Sequence, residues 1–429
     1  MGLQTEVEGP VSRVFRRAAI QRRSRSTGNF DGVWRDITDY VKKWGVVKSA
    51  IDDVRLNRFQ HGGVSLVVDN DAGAFNYETN RNSLWFNYLT RYRTLLRIEA
   101  GYYDSTSYDE LPATSTVGYF VIDEEIKIRS DSNDVSLNGA SLQSIFNEVR
   151  ARDVTGIFGA TTATGVVGRI RDHTDGAGVN IFRSFITSTA WVVTSSANQY
   201  SLTTDLVEDL SCWELMEKLA ESEGYVVLIN RQGGLEFRDR SARNSTVQFA
   251  FTGQDFPRPT VMAISQYKEA YNKYFNYFRV KYLQADTATS FVTAGTTTAV
   301  NATNPSWLFG QRTYEMENTL IQNTATAQSI ADNLFTTFGT MTSEVEFRAS
   351  LHPSLELLDR ISVSFHSYDM AGSTIWDTFD WAPDTGDTGA TWSVEGENFE
   401  WDSREFVIIA RDVNLDDFSM NIRARDLTP

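Results

Sequence analysis

The sequence contains very few of the residues from which metal sites and nucleophilic active sites are built. Its 429 residues include one cysteine, four histidines and eight prolines. A single cysteine excludes an intramolecular disulfide framework and an all-cysteine zinc site. No two of the four histidines are two, three or four residues apart, so the sequence offers no local zinc-binding pair. We therefore expect no metal site and no cofactor.

Long apolar runs are also missing. The longest, Tyr225–Ile229 and Phe406–Ala410, have the length of a strand, whereas a membrane helix needs about 20 apolar residues. The N-terminal arginines are not followed by the apolar stretch of a secretory signal. We therefore expect a soluble protein that is made and assembled inside a cell, with no stable membrane association.

Aromatic and aliphatic residues are plentiful by comparison. Apolar residues make up 41% of the chain and aromatic residues 12%, which is enough to bury several hydrophobic cores. With 429 residues, the chain has the length of two to four domains. The low proline count and the absence of a low-complexity tract argue against a disordered or fibrous protein.

Charge is distributed unevenly. The chain carries a net charge of −16, but its first 25 residues contain six arginines against Glu6 and Glu8. We interpret residues 1–28 as an arm that contacts an acidic neighbouring protein. Its candidate contact residues are Arg13, Arg16, Arg17, Arg22, Arg23 and Arg25. The acidic remainder disfavours wrapping of nucleic acid and is compatible either with solubility or with a channel that DNA passes without sticking.

The common nucleophile and phosphate-binding motifs do not occur. The sequence has no Gly-x-Ser-x-Gly elbow, no Walker A loop and no Gly-x-Gly-x-x-Gly fingerprint. The stretch Asp69–Gly73 departs from the EF-hand pattern, so we interpret it as a turn. Cys212 has helical spacing to Leu215 and Leu219, which predicts a buried structural position. We therefore expect no catalytic residue.

Acidic and aromatic residues alternate densely between residues 366 and 405. Aromatic rings beside carboxylates are typical of sugar sites, and two carboxylates at suitable spacing are the minimum for a glycosidase. The alternative is an insertion whose rings pack on its own base or on a neighbouring subunit, and we favour this one. The candidate glycan or subunit contacts are Trp376, Asp377, Trp381, Trp392 and Trp401.

Local patterns predict strands at both ends of the chain and two well-marked helices. Val64, Leu66 and Val68 alternate with Ser65 and Val67, so that one face points into a core, as in a half-buried strand. Ser211 and Glu214 form a capping-box pattern, and Gly224 suits the C-cap of that helix. Asn323 suits the N-cap of a second helix, which ends at Gly339.

Three blocks of sequence resemble bacteriophage tail hub proteins. The first combines D-I-T-D-Y-V, from Asp36, with the later V-V-D-N strand. The second is the helix D-L-S-C-W-E-L-M-E-K-L-A-E followed by G-Y-V-V-L-I-N-R-Q-G-G-L-E-F-R. The third is the ending I-I-A-R-D-V-N-L-D-D-F-S-M-N-I-R-A-R-D. Together the resembling regions cover residues 30–125, 205–240 and 265–429.

The resemblance implies a mainly β, α+β fold with two tail-tube-like β-barrel domains and an inserted α/β region. The implied domains are the arm 1–28, a first barrel 29–128, an α/β insertion 129–260 that ends in a helix–hairpin, and a second barrel 261–429 with the acidic, aromatic loop 366–405. We expect two barrels of like topology.

The resemblance also implies partners. We expect a homotrimeric ring that joins the tail tube or a distal tail protein above, holds tape-measure, fibre or spike proteins at the tip, and lets DNA pass transiently. The expected location is the virion, with assembly in the host cytoplasm, and gene transfer particles or other injection machines share the architecture. Two alternatives stay open: a glycan-binding adhesin or receptor-binding tail protein, and a cell-wall hydrolase. The chain ends just after its final predicted strand, so we expect lysis and receptor contact to belong to other proteins.

Overall fold

The computed structural model describes most of the chain in segments. The described residues are 14–24, 30–51, 59–76, 80–83, 88–89, 94–102, 116–122, 127–128, 133–174, 182, 191–195, 198–239, 246–252, 260–269, 275–284, 288–295, 311–338, 343–366 and 400–426.

Strands dominate these segments, which confirms the predicted mainly β, α+β class. The strands of the N-terminal third are β1 Val14–Ser24, β2 Phe30–Asp36, β3 Val41–Lys43, β4 Val46–Ile51, β5 Phe59–His61, β6 Val64–Asp69, β7 Tyr88–Leu89, β8 Thr94–Tyr102, β9 Thr116–Ile122, β10 Lys127–Ile128 and β11 Asp134–Ser141. The later strands are β12 Val192–Val193, β13 Tyr225–Ile229, β14 Leu235–Asp239, β15 Val247–Thr252, β16 Val261–Glu269, β17 Tyr277–Gln284, β18 Ala288–Gly295, β19 Thr313–Asn318, β20 Ser343–Ser350, β21 Arg360–His366, β22 Glu400–Asn414 and β23 Ser419–Asp426.

The described α-helices are few and mostly short. They are α1 Gln143–Glu148, α2 Ala163–Arg171, α3 Thr204–Val207, α4 Cys212–Glu223 and α5 Thr324–Phe338. No helix among the described residues has the length and apolar character needed to cross a membrane.

The first sheet runs in the order β2-β1-β8-β9-β11-β6-β3, with β7 paired to β1 and β10 to β11. One face of each strand enters the core, as alternation predicts: Val64, Leu66 and Val68 of β6 are buried. Strand β1 lies next to β8 over eight residue pairs, and its Ala18 and Ile20 are fully buried. The prediction of an arm over residues 1–28 is therefore wrong for residues 14–24, because their small and aliphatic side chains fill the sheet interior.

The second sheet runs in the order β15-β21-β22-β23-β20-β16. Its strands pair antiparallel except for β15, which pairs parallel to β21. The sheet curls, so that its two terminal strands approach each other at one corner. There Thr260 N donates to Thr252 O at 2.8 Å, and Thr252 N donates to Thr260 Oγ1 at 2.7 Å.

The hairpin β4–β5 leaves the first sheet and joins the second. Its strand β4 pairs antiparallel with the last part of β22, so that residues 46–50 face residues 410–414. Strand β11 lies in the first sheet and β15 in the second, although both fall within the predicted insertion 129–260. The predicted boundaries at 128 and 260 therefore do not coincide with the sheets, because strand pairing crosses them.

The α/β region contains the capped helix that the sequence predicts. Ser211 Oγ accepts a hydrogen bond from Glu214 N at 3.1 Å, and Glu214 Oε2 accepts one from Ser211 N at 2.8 Å. Gly224 ends α4 with a φ of 71°, a conformation that glycine adopts without strain. The predicted capping box and C-cap are both confirmed.

A small sheet, β18-β17-β19, and helix α5 lie between β16 and β20 in the chain. Asn323 caps α5 as predicted, since its Oδ1 accepts a hydrogen bond from Thr326 N at 2.7 Å. Ala327 and Ile330 of the predicted apolar stripe are buried. Asn318 Nδ2 donates to Lys218 O at 2.8 Å, which ties this unit to α4.

Candidate functional site

Most of the predicted sugar or subunit contacts lie outside the described residues. These are Trp376, Asp377, Trp381 and Trp392. The structure does describe the backbone of Trp401, which lies in β22 opposite Phe365 of β21. A glycan or subunit contact at these residues stays a prediction.

The described arginines of the N-terminal segment bind acidic and aromatic partners within the chain, while Arg13 and Arg25 lie outside the described residues. Arg17 Nε lies 2.7 Å from Asp36 Oδ2, and Arg22 Nε lies 3.7 Å from Asp31 Oδ2. The Arg23 guanidinium lies 5.9 Å from the centre of the Phe30 ring. These contacts hold β1 against its neighbour β2, and contact of the arginines with another protein stays a prediction.

The pKa of the Asp36 carboxyl reflects its contact with Arg17. Burial alone raises the pKa of the Asp36 carboxyl, but hydrogen bonds from Thr38 and Arg17 outweigh burial and lower the pKa below its ordinary value. Asp36 is therefore a charged, solvent-exposed partner of Arg17 between β1 and β2.

Arg16 reaches out of the first sheet to the second. Its guanidinium carbon lies 6.0 Å from the centre of the Trp44 ring and 5.8 Å from that of Phe418, in the turn between β22 and β23. The Phe418 ring meets Tyr102 of β8 edge-on at 5.1 Å. A cation between two aromatic rings is favourable in a partly desolvated place, so Arg16 contributes to the contact between the two sheets.

We call the five residue pairs that join β4 to β22 the seam. It runs from Val46–Asn414 to Ala50–Ala410. Val47 and Ile51 of β4 are buried, and each contributes about 1.5–3 kcal/mol when it is removed from water. The seam thus combines backbone pairing with apolar burial between two strands that are far apart in sequence.

Polar contacts fix the ends of the seam. Asp416 accepts hydrogen bonds from Trp44 N at 3.0 Å and from Gly45 N at 3.3 Å, and Leu415 N donates to Gly45 O at 3.2 Å. Within the seam, the buried Arg411 donates from Nε to Ser49 Oγ at 3.1 Å. These bonds set the register of β4 on β22.

Gly45 permits this crossing. Its φ is +73°, and a Cβ there would lie 2.4 Å from Ser65 O of β6. Only glycine fits where the chain turns this tightly against a neighbouring backbone. The paired glycines Gly62 and Gly63 stand at the other end of the hairpin, and a Cβ on Gly63 would lie 2.4 Å from Gly139 O.

A buried histidine, His352, lies where the two sheets meet. Tyr102 of the first sheet donates from its hydroxyl to Leu351 O at 3.0 Å, next to His352. The His352 ring packs on Phe249 at 4.2 Å, and its Nδ1 lies 3.0 Å from Ser354 Oγ. Burial lowers the pKa of His352 to about 4, so the ring is neutral at pH 7.

The α/β region is joined to α5 through a buried tyrosine. The Tyr200 hydroxyl lies 2.7 Å from Ser222 Oγ and donates to Glu223 Oε1 at 2.8 Å. Asn198 links the same carboxylate to Thr326 of α5. Burial raises the pKa of the Tyr200 hydroxyl well above its ordinary value, so it stays protonated as a donor.

Cys212 occupies a structural position. It is fully buried in α4, and burial raises the pKa of its thiol to about 12. In the described part of the chain, no three histidine, cysteine, aspartate or glutamate side chains are grouped so that they could hold a metal ion.

An open groove of about 740 Å³ lies where the β4–β5 hairpin parts from β6 and β11. Hydroxyl and amide side chains, glycine backbone and one lysine line it, including Lys48, Gln60, Ser65, Asn138 and Asn147, together with the apolar residues Val46, Phe59, Val64 and Ala140. Its described lining holds neither a carboxylate nor a histidine. This mixed composition offers both hydrogen-bonding groups and apolar surface, and among the described lining residues it provides no general acid–base pair.

The seam is the feature that sequence reasoning missed. Its one local signal was glycine on both sides of a short hairpin, at Gly45 and at Gly62–Gly63, and such glycines also occur in ordinary turns. The pairing partner β22 lies more than 300 residues away, so no local pattern identifies it.

No protein-family model and no curated protein sequence matches the chain. A tail protein from Neisseria meningitidis is similar in structure, with a TM-score of 0.51 and 11% sequence identity over 96% of each chain. The prophage MuSo2 tail protein from Shewanella oneidensis has a TM-score of 0.49 and 10% identity, over 95% of this chain and 98% of its own. A prophage tail protein from Listeria monocytogenes has a TM-score of 0.47 and 10% identity, over 95% and 94%. The chain therefore has the fold of the Neisseria tail protein.

Proposed function

We propose that this protein is the structural hub of a phage-type tail tip or baseplate. In this role it forms a ring that continues and caps the tail tube and anchors tip proteins for DNA delivery. The fold that it shares with a tail protein supports the assignment. The proposed partners are two further copies of the chain, a tube or distal tail protein above, and tape-measure, fibre or spike proteins below.

The observation that carries the proposal is the seam. A hub must hold its two β domains in one fixed orientation, because both have to match the subunits of a tube at the same time. Five backbone pairs hold β4 in the second sheet, directly after the first-sheet strand β3 in the chain. The Asp416 hydrogen bonds to Trp44 and Gly45 and the contact of Arg16 with Phe418 link the two sheets at the same place. Such a joint resists hinge motion, whereas two domains on a flexible linker would move independently.

The mechanism that we propose is mechanical. The backbone pairs and the hydrogen bonds of Asp416 and Arg411 hold β4 on β22. The groove provides polar surface for a neighbouring protein. The acidic excess of the chain lines the conduit and repels DNA phosphates, so that passage is fast. Arg13 and Arg25, for which the structure describes no partner within the chain because they lie outside the described residues, contact an acidic neighbour in this arrangement.

A mass measurement tests the proposal. Analytical ultracentrifugation of the full-length protein should give three times the 48.4 kDa chain mass, and electron microscopy of the same sample should show rings. A monomer at every concentration contradicts the hub. Binding to a glycan array would favour an adhesin, and clearing of a peptidoglycan zymogram would favour a hydrolase.

A density map of the ring tests the conduit. The calculated potential of the lumen wall should be negative, since each lysine or arginine exposed there would retard DNA by a salt-sensitive phosphate contact. A neutral or positive lumen contradicts the channel role and leaves the acidic residues with a role in solubility.

A further inference from the structure

A fork in the strand pairing forms the groove beside the β4–β5 hairpin. Gly62 N donates to Lys48 O at 2.7 Å, so the chain pairs with β4 up to this point. Two residues later Val64 lies opposite Gly139, where β6 begins to pair with β11. Ala140 continues β11 past the last of these pairs, along the other branch of the fork. The groove is the space between the two branches.

The described lining of the groove is apolar in part and basic at one residue. Val46 and Ala140 are half-buried, so they leave apolar surface in contact with water. Lys48 is the one charged residue among the described lining residues. Its side chain is 67% exposed and lies 3.7 Å from Asp412 Oδ2, a contact between exposed groups that contributes little. The groove therefore suits an extended segment that is apolar on one side and acidic on the other.

Residues 3–8 have this composition. They read L-Q-T-E-V-E, so apolar or small side chains alternate with polar ones at the period of a strand. The polar side includes Glu6 and Glu8, and the stretch contains no lysine or arginine. A Gly-Pro pair follows and ends the alternation. The segment precedes β1 and lies outside the described residues.

The connection to β1 brings this segment near the groove. Six residue steps separate Glu8 from Val14, the first residue of β1, and they span at most about 20 Å when extended. The guanidinium of Arg16 lies 6.0 Å from the centre of the Trp44 ring. Gly45, the next residue, packs closely on the backbone of Ser65, which lines the groove.

We propose that the groove is the docking site of residues 3–8 of the same chain, which lie in it as an extended segment. The apolar side of the segment covers Val46 and Ala140, and its carboxylates lie beside Lys48. A tether this short gives an effective concentration of about millimolar, so the chain's own segment fills the groove ahead of one from another molecule. The contact is made within one chain and does not depend on the proposed ring. A neighbouring protein would meet the groove with the segment in place.

Hydrogen exchange of the full-length protein tests the docking. The backbone amides of residues 3–8 should exchange at least about tenfold more slowly than those of a free peptide of the same sequence. Lys48→Gln should speed this exchange by about two- to fivefold, the effect of an exposed ion pair. Lys43→Gln is the matched control, because Lys43 is exposed on β3 and does not belong to the described lining. The control should exchange like the unaltered protein.

Cross-linking identifies which chain supplies the segment. With Val7→Cys and Ala140→Cys in one chain, a short bis-maleimide should join the two thiols within that chain, which mass spectrometry detects as a single-chain product. Val7→Cys with Thr313→Cys is the control pair, since Thr313 is exposed on β19 and this strand contributes no residue to the described lining. The buried Cys212 does not compete for the reagent.

The outcomes separate the docking from the ring. Exchange at the rate of the free peptide, or cross-linking no better than in the control pair, contradicts the docking. A product that joins two chains means that another copy fills the groove, and this also contradicts docking within the chain. A protein that stays monomeric and gives the single-chain product keeps the docking and refutes the ring.

Discussion

The carboxylate of Asp416 accepts a hydrogen bond from the backbone N–H of Trp44 at 3.0 Å, although the two residues are 372 positions apart in the sequence. Trp44 lies between β3 of the first sheet and β4 of the second. Asp416 lies in the turn between β22 and β23 of the second sheet. The bond therefore joins the two sheets at the point where the β4–β5 hairpin begins.

Removing this carboxylate should weaken the seam. We expect Asp416→Ala to lower the free energy of unfolding by about 1 kcal/mol, since the bond is charge-assisted but Asp416 is exposed to solvent. Urea titration followed by tryptophan fluorescence measures the loss. Asp39→Ala, at an exposed aspartate of the turn Thr38–Tyr40, is the control and should change stability by less than about 0.5 kcal/mol. Equal effects of the two variants contradict this role of Asp416.

Two glycines with the same backbone conformation should respond differently to alanine. Gly32 and Gly45 have φ values of +71° and +73°, but a Cβ on Gly32 meets nothing within 4 Å. Gly32→Ala should cost only the backbone strain of about 1–2 kcal/mol. Gly45→Ala adds a clash with Ser65 O and should cost clearly more. Thermal unfolding of both variants measures the difference, and a smaller loss for Gly45→Ala refutes the close crossing.

Breaking the buried ion pair of the second sheet should be costly. Arg425 Nη2 lies 3.1 Å from Glu344 Oε1, and both side chains are nearly excluded from solvent. Glu344→Ala leaves the arginine charge buried without this partner, so we expect a loss of about 3–5 kcal/mol. Glu346→Ala, at an exposed position of the same strand, is the control. Guanidinium titration measures both, and a loss below about 1 kcal/mol for Glu344→Ala contradicts the expectation.

His352 should make the fold sensitive to acid. Burial lowers its pKa from 6.5 to about 4 in the folded chain, so between these values the unfolded chain binds the extra proton. Stability from this group is complete above pH 6.5 and falls as the pH drops towards 4, by about 3 kcal/mol in all.

A glutamine variant isolates this contribution. His352→Gln carries no titrating group, so its free energy of unfolding should fall less than that of the unaltered chain between pH 7 and pH 4.5. Urea titrations at both pH values measure the two differences. Parallel losses in the two proteins would assign the acid sensitivity to other groups.

Local chemistry was enough to predict several elements from the sequence. The box Ser211–Glu214, the cap Gly224 and the cap Asn323 were correct because each depends on hydrogen bonds within four residues of the chain. The burial of Cys212 followed from helical spacing for the same reason. The mainly β class followed from the alternation of apolar residues in strands such as β6.

The arginine-rich segment shows where local patterns failed. Six arginines within thirteen residues indicated an arm that contacts an acidic neighbouring protein, but Ala18 and Ile20 between them are buried in β1. Charged side chains at a strand's face can be neutralised by neighbours that are distant in sequence, and here Asp36 and Glu99 supply the opposite charge to Arg17. These ion pairs could not be predicted from the sequence, because they depend on which strands lie next to each other.

The sequence by itself determined the class of the fold, the capped helices and the scarcity of groups for metal or nucleophilic chemistry, because these depend on composition and on contacts between near neighbours. Only the tertiary structure decided that β4 and β5 join the second sheet and that Asp416 fastens them there. The reason is physical: a strand's hydrogen-bonding edge is the same whatever its sequence, so partner choice depends on the packing of the whole chain. The seam exists because that packing brings residues 46–50 against residues 410–414.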